Sequence, residues 1–583
     1  MKYLKVYSLF LLAFAVAGCG GLGKMEKNAA TVKYEVVPNP LEMHGDSVGI
    51  AIKGTYPVKY FSKKANLVVT PVVRTANGDI AFKPVEVKGE KATTAKGATI
   101  NYKAGGSFTY TDKTVYSSDM RSGDVMVKVK GTQGSTTKEF AAMKIADATI
   151  TTPLLVSWHG SVISAKDNYV RTINKKYNGQ IYYAINNSTV STGFKHKGSG
   201  IVNKDATSAL DSLIGTMRDG SWMVKSIDIT GNASPDGKQD LNAKLADSRS
   251  KSASKFVSTV GKKDKKGKKI WSPADSATVN LSTNNEDWPG FQKLMQESDM
   301  AQKDMILRIV ASNSDVDARE MEIKKMGKAY TEIADQILPK LRKSDIVYNA
   351  QKEGRSDEQI SATAKSNPDS LSIEELLRAG SLTNDNGEKS RIYANAERMY
   401  PDDWRAANNA GAVKYMTNDV DGAMAEFQKA DKLSANNAAV KNNLAACYIA
   451  KGDRKNATDM LNAASGAGDE VNLNWAIVDI GNGNYSAAVS HCGATNSYNC
   501  ALAKLLSGDK SGAASTLSAS ADNDSDMSNY LFAVIAARNG NASDVVSYLT
   551  KAIAKNPSLK AMAKDDREFI KWFNDAGFKA VVQ

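Results

Sequence analysis

Cysteine and histidine are scarce in this chain, which has four of each in 583 residues. So few cysteines exclude a small fold built on disulfides, because such scaffolds use a far larger share of cysteine. The histidines do not lie at the spacing that places two imidazoles on one helix face, as a zinc protease requires. The phosphate-binding motif Gly-x-x-x-x-Gly-Lys-Ser/Thr is also missing. The sequence therefore predicts a protein that is not an enzyme and that uses no metal or cofactor.

The N-terminus combines a short basic segment with an apolar run. Lys2 and Lys5 precede residues 6–17, which are too few to span a bilayer as a helix and are typical of a signal peptide over residues 1–18. The run ends in Val-Ala-Gly-Cys, which resembles the lipobox of bacterial lipoproteins. The resemblance implies cleavage before Cys19, palmitate and other acyl chains on that residue, and attachment to the cell outer membrane through the lipid.

A glycine-rich lipidated tether, residues 19–30, follows the signal peptide. It lacks the acidic run that resembles surface-export signals of Bacteroidetes lipoproteins, so we expect a protein that faces the periplasm. The chain carries a net charge of +13, and the run 261–269 (GKKDKKGKK) is charged enough to predict a solvated loop. An exported protein meets little nucleic acid. The sequence therefore predicts no nucleic-acid partner and a basic surface attracted to anionic envelope polymers.

Three cysteines remain after Cys19, namely Cys447, Cys492 and Cys500. In an oxidising periplasm Cys492 and Cys500 are candidates for a disulfide. Alternatively, both are small residues buried in helices without a bond between them, which is the commoner role of cysteine. The sequence leaves these two alternatives open.

Residues 31–165 contain short apolar runs separated by turns. Apolar residues alternate with polar ones at 32–36 and 48–52, and glycine turns occur at 77–78 and 104–106. Almost no helical periodicity interrupts them. This pattern predicts an all-β sandwich of the immunoglobulin-like kind, with a role in spacing or protein contact.

The stretch 224–257 predicts a strand, a tight polar loop and a helix inside an α/β domain over residues 166–350. Apolar β-formers alternate at its start, and the loop 231–237 (GNASPDG) concentrates turn residues. Leu241 and Leu245 then begin one face of a helix. The loop and the first helical turn follow the carboxyl end of the strand, where α/β sheets commonly hold ligands.

This loop and helix resemble the OmpA C-terminal domain, whose signature Asn-x-x-Leu-Ser-x-x-Arg-Ala is matched at Asn242, Leu245 and Arg249. In that family the domain binds the peptidoglycan stem peptide. A loop aspartate takes the ammonium of the diaminopimelate zwitterion, and the arginine takes its carboxylate by a two-toothed contact. Here Arg249 is present, Ser234 stands where the aspartate is expected, and Asp236 lies two residues further on. The resemblance implies a peptidoglycan site formed by Arg249, Asn242, Ser234 and Asp236.

Two further segments narrow the resemblance. Residues 286–291 (EDWPGF) and 338–346 (LPKLRKSDI) are similar to an OmpA-like subgroup of Bacteroidetes envelope proteins, in which an Ala-Ser-Pro-x-Gly loop replaces the aspartate-bearing loop. Ser234 is then a feature of the subgroup. Its presence weakens the expectation that the domain binds muropeptides in the way that uses a loop aspartate. A polar segment over 351–370 predicts a linker to the next domain.

Residues 371–583 repeat a pattern of about 34 residues. In the copy 404–437, Gly411, Ala423 and Phe427 follow the small-small-aromatic pattern of a tetratricopeptide repeat, and later copies match it in part. The resemblance implies an all-α solenoid in which small residues let paired helices approach each other. The concave groove of such an array implies a protein or peptide partner.

These observations predict a multidomain lipoprotein with an N-terminal all-β sandwich, a central α/β OmpA-like domain and a C-terminal all-α tetratricopeptide solenoid. We expect an envelope scaffold or assembly factor on the outer membrane, facing the periplasm, which binds peptidoglycan through the central domain and a protein through the groove. The alternative is a surface or secretion-machine component whose OmpA-like domain docks proteins and does not bind peptidoglycan.

Overall fold

The residues described by the computed structural model begin after the predicted lipidation site. The predicted signal peptide, residues 1–18, lies outside the described part of the chain, as do Cys19 and residues 264–268 of the basic run predicted as a solvated loop. The described residues are 21–93, 96–204, 222–263 and 269–583.

The chain forms two compact units, and the second is inserted into the first. One unit contains Met1–Lys166 together with Thr383–Gln583, and the other contains Asp167–Leu382. The predicted sandwich and the predicted repeats therefore belong to a single unit. No helix within the described ranges is long and apolar enough to cross a membrane.

Two β-sheets that share an apolar core form the N-terminal part of the first unit. Strand β3 lies between β1 and β2 and also pairs with β8. The other sheet has the order β10-β9-β4-β6-β7, with β11 added to β9 and β5 to β4. Ile50 and Ile52 of one sheet and Val73 and Val125 of the other are buried together, which confirms the predicted β-rich region. The strands are β1 Lys33–Val37, β2 Met43–His44, β3 Ser47–Tyr56, β4 Asn66–Thr75, β5 Gly78–Ala81, β6 Val85–Gly89, β7 Ala98–Ile100, β8 Gly106–Val115, β9 Asp124–Gln133, β10 Thr136–Glu139 and β11 Met143–Asp147.

Both ends of this predicted region differ from the sequence-based expectation. Part of the predicted tether forms helix α1, Gly21–Lys27, because Leu22 and Met25 bury their side chains against the sandwich. At the other end the last strand stops at Asp147, and a 3-10 helix covers Thr152–Leu155. Residues 156–165, predicted as the end of the sandwich, join neither sheet.

The second unit is built on a mixed four-stranded sheet in the order β12-β19-β15-β18. β15 and β18 run parallel and are joined through helix α2, whereas β19 is antiparallel to both of its neighbours. Apolar side chains from the strands and from Ala253 and Val257 of the helix form the core. The strands are β12 Thr172–Tyr182, β13 Lys195–His196, β14 Ile201–Val202, β15 Met223–Asn232, β16 Lys262–Lys263, β17 Lys269–Trp271, β18 Thr278–Asn284 and β19 Lys343–Glu353, and α2 is Gln239–Thr259.

Helices complete this unit on both sides of β19 in sequence. The first begins at Trp288 and has Pro289 in its first turn, where a helix tolerates proline. The Asp287 carboxylate caps this helix by accepting a hydrogen bond from the Gly290 N–H at 2.9 Å. The predicted linker 351–370 instead continues β19 and then forms a helix that buries Ile360. The helices are α3 Trp288–Glu297, α4 Lys303–Ser312, α5 Val316–Lys324, α6 Lys328–Gln336, α7 Leu338–Leu341, α8 Asp357–Ser366 and α9 Ile373–Ser381.

The chain then returns to the first unit as an all-helical array, which confirms the predicted helical region. Asp, Asn or Ser side chains cap the amino ends of most of these helices, for example Asp403, Asp419 and Asn437. The helices are α10 Asn386–Met399, α11 Trp404–Met416, α12 Val420–Leu433, α13 Ala438–Ala450, α14 Arg454–Ala463, α15 Asp469–Asn482, α16 Tyr485–Cys492, α17 Tyr498–Leu506, α18 Lys510–Ser518, α19 Asp526–Arg538, α20 Ala542–Lys555, α21 Leu559–Asp565 and α22 Ala576–Val582.

Small residues bring the paired helices of each repeat together. A Cβ atom on Gly411 would lie 2.8 Å from the Phe427 ring, so only glycine lets α11 and α12 approach this closely. Ala423, Phe427 and Ala430 are fully buried. The pattern that suggests tetratricopeptide repeats is therefore a packing pattern in the structure.

The sandwich packs directly on the helical array. His44 makes an edge-to-face contact with Tyr485 at 4.7 Å. The Arg567 guanidinium donates hydrogen bonds to the main-chain oxygens of Ala148 and Ser122, at 2.9 Å and 2.7 Å. These contacts make the sandwich and the array one structural unit.

Candidate functional site

An extended segment of the chain lies along the helical array and is held there by its main chain. We call residues 155–166 the strap. Four asparagines of the array each accept a hydrogen bond from the N–H and donate one to the carbonyl of a single strap residue. The pairs, with the accepted and donated distances, are Asn409 with Ala165 (2.7 and 2.9 Å), Asn443 with Ile163 (2.7 and 2.8 Å), Asn474 with Ser161 (2.7 and 2.8 Å) and Asn499 with Ser157 (2.9 and 2.8 Å).

The four asparagines occupy one position of the repeat, and we call them the asparagine ladder. Each lies in the first helix of its repeat, two residues before the small residues Gly411, Ala445, Ala476 and Ala501. Stacked repeats bring equivalent positions into a row. In an extended strand, alternate residues point the same way. The ladder therefore meets strap residues 161, 163 and 165 in succession.

A second row of carboxamides supports the ladder. Asn408 and Asn442 donate to the carbonyl oxygens of Ile163 and Ser161, each at 3.0 Å. They also bridge the ladder, because Asn443 donates to Asn408 at 2.9 Å and Asn474 donates to Asn442 at 2.9 Å. The side chains of both rows in these three repeats are at most 1 % exposed. Buried amides of this kind are costly unless they are paired, so the strap completes a network that the array alone leaves open.

Gly160 allows the strap to approach the array. Its N–H donates to the Tyr415 hydroxyl at 2.8 Å, and that hydroxyl donates to the Ala446 carbonyl at 3.2 Å. A Cβ atom at position 160 would lie 2.7 Å from the Asn474 Oδ1 and 3.1 Å from Ala446. His159 packs over the Tyr415 ring at 4.6 Å. Only glycine fits at position 160 without moving its neighbours.

A disulfide lies beside the first part of the strap. Cys492 and Cys500 are bonded, which settles the alternative that the sequence leaves open. The bond joins the end of α16 to α17, and α17 supplies Tyr498 and Asn499. The Tyr498 hydroxyl donates to the Leu155 carbonyl at 3.0 Å. In the next repeat the ladder position, two residues before Ala533, is occupied by Leu531.

The residues implied in peptidoglycan binding lie in the other unit. Arg249 is only 1 % exposed and donates to the main-chain oxygens of Asn187 and Asn232, at 3.1 Å and 2.8 Å. Its guanidinium lies 5.3 Å from the centre of the Tyr183 ring. Burial and the nearby charge of Arg342 lower the pKa of Arg249 to about 10, so it stays protonated at neutral pH.

Ser234 and Asp236 meet an arginine that the sequence reasoning missed. Arg342 donates to the Ser234 hydroxyl at 3.1 Å and to the Asp236 carboxylate at 2.9 Å, and Ser234 also donates to Asp236. Asn242 lies nearby and donates to the Gly237 carbonyl at 3.0 Å. The structure therefore brings Ser234 and Asp236 together but pairs the carboxylate with Arg342. No sequence motif pointed to Arg342 as a partner.

The described histidines do not form a cluster with one another. His196 lies 4.0 Å from Asp335, and the His491 Nδ1 lies 3.0 Å from the Asp479 carboxylate. Within residues 21–93, 96–204, 222–263 and 269–583, no group of three or more His, Cys, Asp or Glu side chains could hold a metal ion.

Parts of this chain are similar to solved structures of other proteins. No protein-family model matches the sequence, and no curated protein matches it. A tetratricopeptide repeat protein from Parabacteroides merdae is 12 % identical with a TM-score of 0.28, over 39 % of this chain and 89 % of that one. YrrB, a tetratricopeptide repeat protein with an unusual peptide-binding site, is 17 % identical with a TM-score of 0.21, over 35 % and 94 %. Yeast Tom70 is 10 % identical with a TM-score of 0.25, over 47 % and 65 %.

The ladder could have been found from the sequence. An asparagine stands two residues before the small residue in four successive repeats, in NAG, NLA, NWA and NCA. Helix interiors disfavour asparagine, because its side chain competes with the backbone for hydrogen bonds. A run of asparagines at one repeat position therefore indicates a polar ligand along the groove.

Proposed function

We propose that this chain is a non-catalytic scaffold, anchored by a lipid on Cys19 to the outer membrane and facing the periplasm, whose repeat groove binds extended polypeptide main chain. The observation that carries the proposal is the asparagine ladder. All of its contacts to the strap go to main-chain N–H and carbonyl groups, which every residue except proline offers. A groove that recognises main chain in this way selects an extended conformation rather than a side-chain sequence.

The present occupant of the ladder is the chain's own strap. The sequence reasoning predicts a partner protein in this groove, and an internal ligand limits when such a partner binds. A segment of the same chain competes at a high effective concentration, so a partner must displace the strap or bind beside it. Beside the strap, a pocket of 530 Å³ is lined by residues that include Ser157, His159, Asn499 and Asp526.

Opening the strap tests main-chain recognition. Ser161→Pro with Ile163→Pro removes the two N–H groups that donate to Asn474 and Asn443. This variant should bind a synthetic peptide of sequence 155–166, whereas the wild type should bind it at least about tenfold more weakly. Calorimetry or fluorescence anisotropy measures the binding.

Two controls decide the mechanism. A peptide with shuffled side chains that keeps the glycine should bind as well as the parent, and a peptide N-methylated at the positions of Ser161 and Ile163 should not bind. Adding Asn474→Ala to the opened variant should abolish binding, whereas adding Asn472→Ala, an exposed residue on the same helix, should not. Loss of binding on shuffling the side chains would disprove main-chain recognition.

For the second unit, we favour the docking alternative over peptidoglycan binding. Asp236 is already paired with Arg342, and Arg249 is buried with main-chain partners. A zwitterionic ligand would have to displace both sets of contacts. Sedimentation of residues 20–583 with purified sacculi tests this choice. Binding that Arg249→Lys abolishes and that Arg308→Lys, an exposed helix arginine, preserves would establish the peptidoglycan site and reject our preference.

Lipid attachment is tested separately. Labelled palmitate should enter the wild-type protein in bacteria and should not enter Cys19→Ser. Protease added to intact cells should leave the protein uncut, and should cut it after the outer membrane is permeabilised. Cleavage on intact cells would instead favour the surface alternative.

A further inference from the structure

A basic pocket lies where the described chain begins. A Cβ atom on Gly21 would lie 2.5 Å from the Ser62 hydroxyl and 2.7 Å from the Gln133 Oε1, so the chain enters the sandwich in tight contact. Cys19 is only two residues earlier, a reach of at most about 7 Å. A lipid on Cys19 would therefore hold this face of the sandwich at the membrane.

The pocket has a volume of 470 Å³, and no carboxylate lines it among the described residues. Helix α1 and the loops after β3 and before β8 supply most of its lining. Glu90, at its edge, pairs with Lys63 at 3.5 Å and accepts a hydrogen bond from Asn101 at 2.5 Å. Its cationic residues are Lys24, Lys59, Lys63, Lys64 and Lys91.

Two of these lysines, Lys59 and Lys63, contact Tyr102. Lys59 has φ of 62°, a conformation unusual for a residue other than glycine, and its N–H donates to the Tyr102 carbonyl at 2.6 Å. Lys63 lies 5.5 Å from the centre of the Tyr102 ring. Val58, beside Lys59, is 60 % exposed. The five lysines could contact the anionic headgroups of a membrane, and the exposed Val58 could contact the apolar layer beneath them. The unusual backbone conformation of Lys59 places it in this group.

We propose that this pocket binds the phosphate groups of anionic lipid headgroups. The sandwich would then contact the membrane surface directly, in addition to its attachment through the lipid on Cys19. The proposal rests on the lipid anchor of the proposed function. Glu90 pairs with Lys63, but five lysines still outnumber this carboxylate, so the pocket keeps a net positive charge that an anion would offset. Near a charged bilayer each contributes to binding, whereas a single acyl chain or charge gives only weak attachment.

Vesicle flotation tests the proposal with residues 20–583, made without the lipid. The protein should float with vesicles of phosphatidylcholine and phosphatidylglycerol in equal parts, and should not float with phosphatidylcholine alone. Binding should weaken as the salt concentration rises from about 0.05 M to 0.3 M.

The variant Lys24→Gln with Lys64→Gln and Lys91→Gln removes three exposed lysines of the pocket. It should lose vesicle affinity at least about tenfold. The matched control is Lys33→Gln with Lys113→Gln and Lys130→Gln, which removes the same charge from exposed residues outside the pocket and should retain affinity. Circular dichroism and thermal unfolding of both triple variants confirm that they fold.

Each other outcome overturns the proposal. Equal loss in the two triple variants would mean that net charge alone binds the vesicles. Competition by millimolar glycerol phosphate would assign the pocket to a soluble phosphate compound. Failure here leaves palmitate labelling and peptide binding unaffected, so it is distinguishable from failure of the proposed function.

Discussion

The carboxamide of Asn443 accepts a hydrogen bond from the Ile163 N–H at 2.7 Å and donates one to the Ile163 carbonyl at 2.8 Å. One side chain thus satisfies both main-chain groups of a residue that lies 280 positions earlier in sequence. In a sheet, a neighbouring strand fills this role. Here a row of asparagines replaces the strand, and the strap is extended without belonging to a sheet.

Loss of one ladder residue should loosen the strap. Asn474→Ala leaves the Ser161 N–H without its partner, so we expect the free energy of unfolding to fall by about 2 kcal/mol. Trypsin should also cut faster at Lys166, directly after the ladder contacts. Asn472→Ala, exposed on the same helix, should leave both quantities unchanged. If the two variants behave alike, the ladder does not hold the strap.

Breaking the disulfide should destabilise the repeat that contacts Leu155 and Ser157. The bond closes a loop with a sequence separation of 8 residues. Cys492→Ser with Cys500→Ser should therefore lower the free energy of unfolding by about 2–3 kcal/mol, as measured by denaturant titration. Cys447 is a free and buried thiol, and burial raises its pKa to about 12. A thiol reagent should modify Cys447 only in the unfolded protein.

Asp566 should make the stability depend on pH in an unusual direction. Burial, and then the charge of Glu568, raise the pKa of Asp566 from 3.8 to about 6, while Tyr530 donates to its carboxylate at 2.7 Å. The folded state therefore holds a proton that the unfolded state has released between these values. Stability from this residue is complete below about pH 4 and is lost as the pH rises through 6.

The variant Asp566→Asn isolates this effect. Relative to wild type, it should gain up to about 3 kcal/mol of unfolding free energy at pH 7, and the gain should vanish near pH 4. Asp565→Asn, its exposed neighbour, should show no such dependence. A difference between wild type and Asp566→Asn that is constant with pH would contradict the raised pKa.

The pair of Arg342 and Asp236 should couple strongly. Both side chains are mostly buried, at 7 % and 13 % exposure, so Arg342→Ala should cost about 3 kcal/mol by leaving the carboxylate unpaired. Adding Asp236→Ala should recover much of this loss, which a double-mutant cycle measures. Lys325→Ala, which breaks an exposed pair with Glu322, should cost at most about 0.5 kcal/mol. Additive effects of Arg342→Ala and Asp236→Ala would contradict the coupling.

The sequence predicted what depends on local periodicity. The repeat pattern around Gly411 and Phe427 corresponds to a close helix contact, and the alternation in 48–52 corresponds to strand β3. Both signals come from neighbouring turns or alternating faces, which a short window of sequence contains.

What depends on distant contacts was not predicted. The sequence predicts residues 156–165 as part of the sandwich, whereas asparagines more than 200 residues away hold them along the array. The local sequence predicts that Arg249 is exposed on its helix, yet the loop around Asn187 covers its side chain. The pairing of Asp236 with Arg342 likewise joins residues 106 positions apart, which no local pattern specifies.

The insertion of one unit into the other has a consequence for biosynthesis. The strap is synthesised before any part of the array that receives it, since Asn409, Asn443, Asn474 and Asn499 all follow it in the chain. The sandwich precedes the strap in sequence and the second unit follows it, so the strap has no free end that could be inserted lengthwise into the groove. Its ladder contacts can be complete only after the repeat that contains Asn499 has emerged. Until then, its main chain is exposed to chaperones and proteases of the compartment.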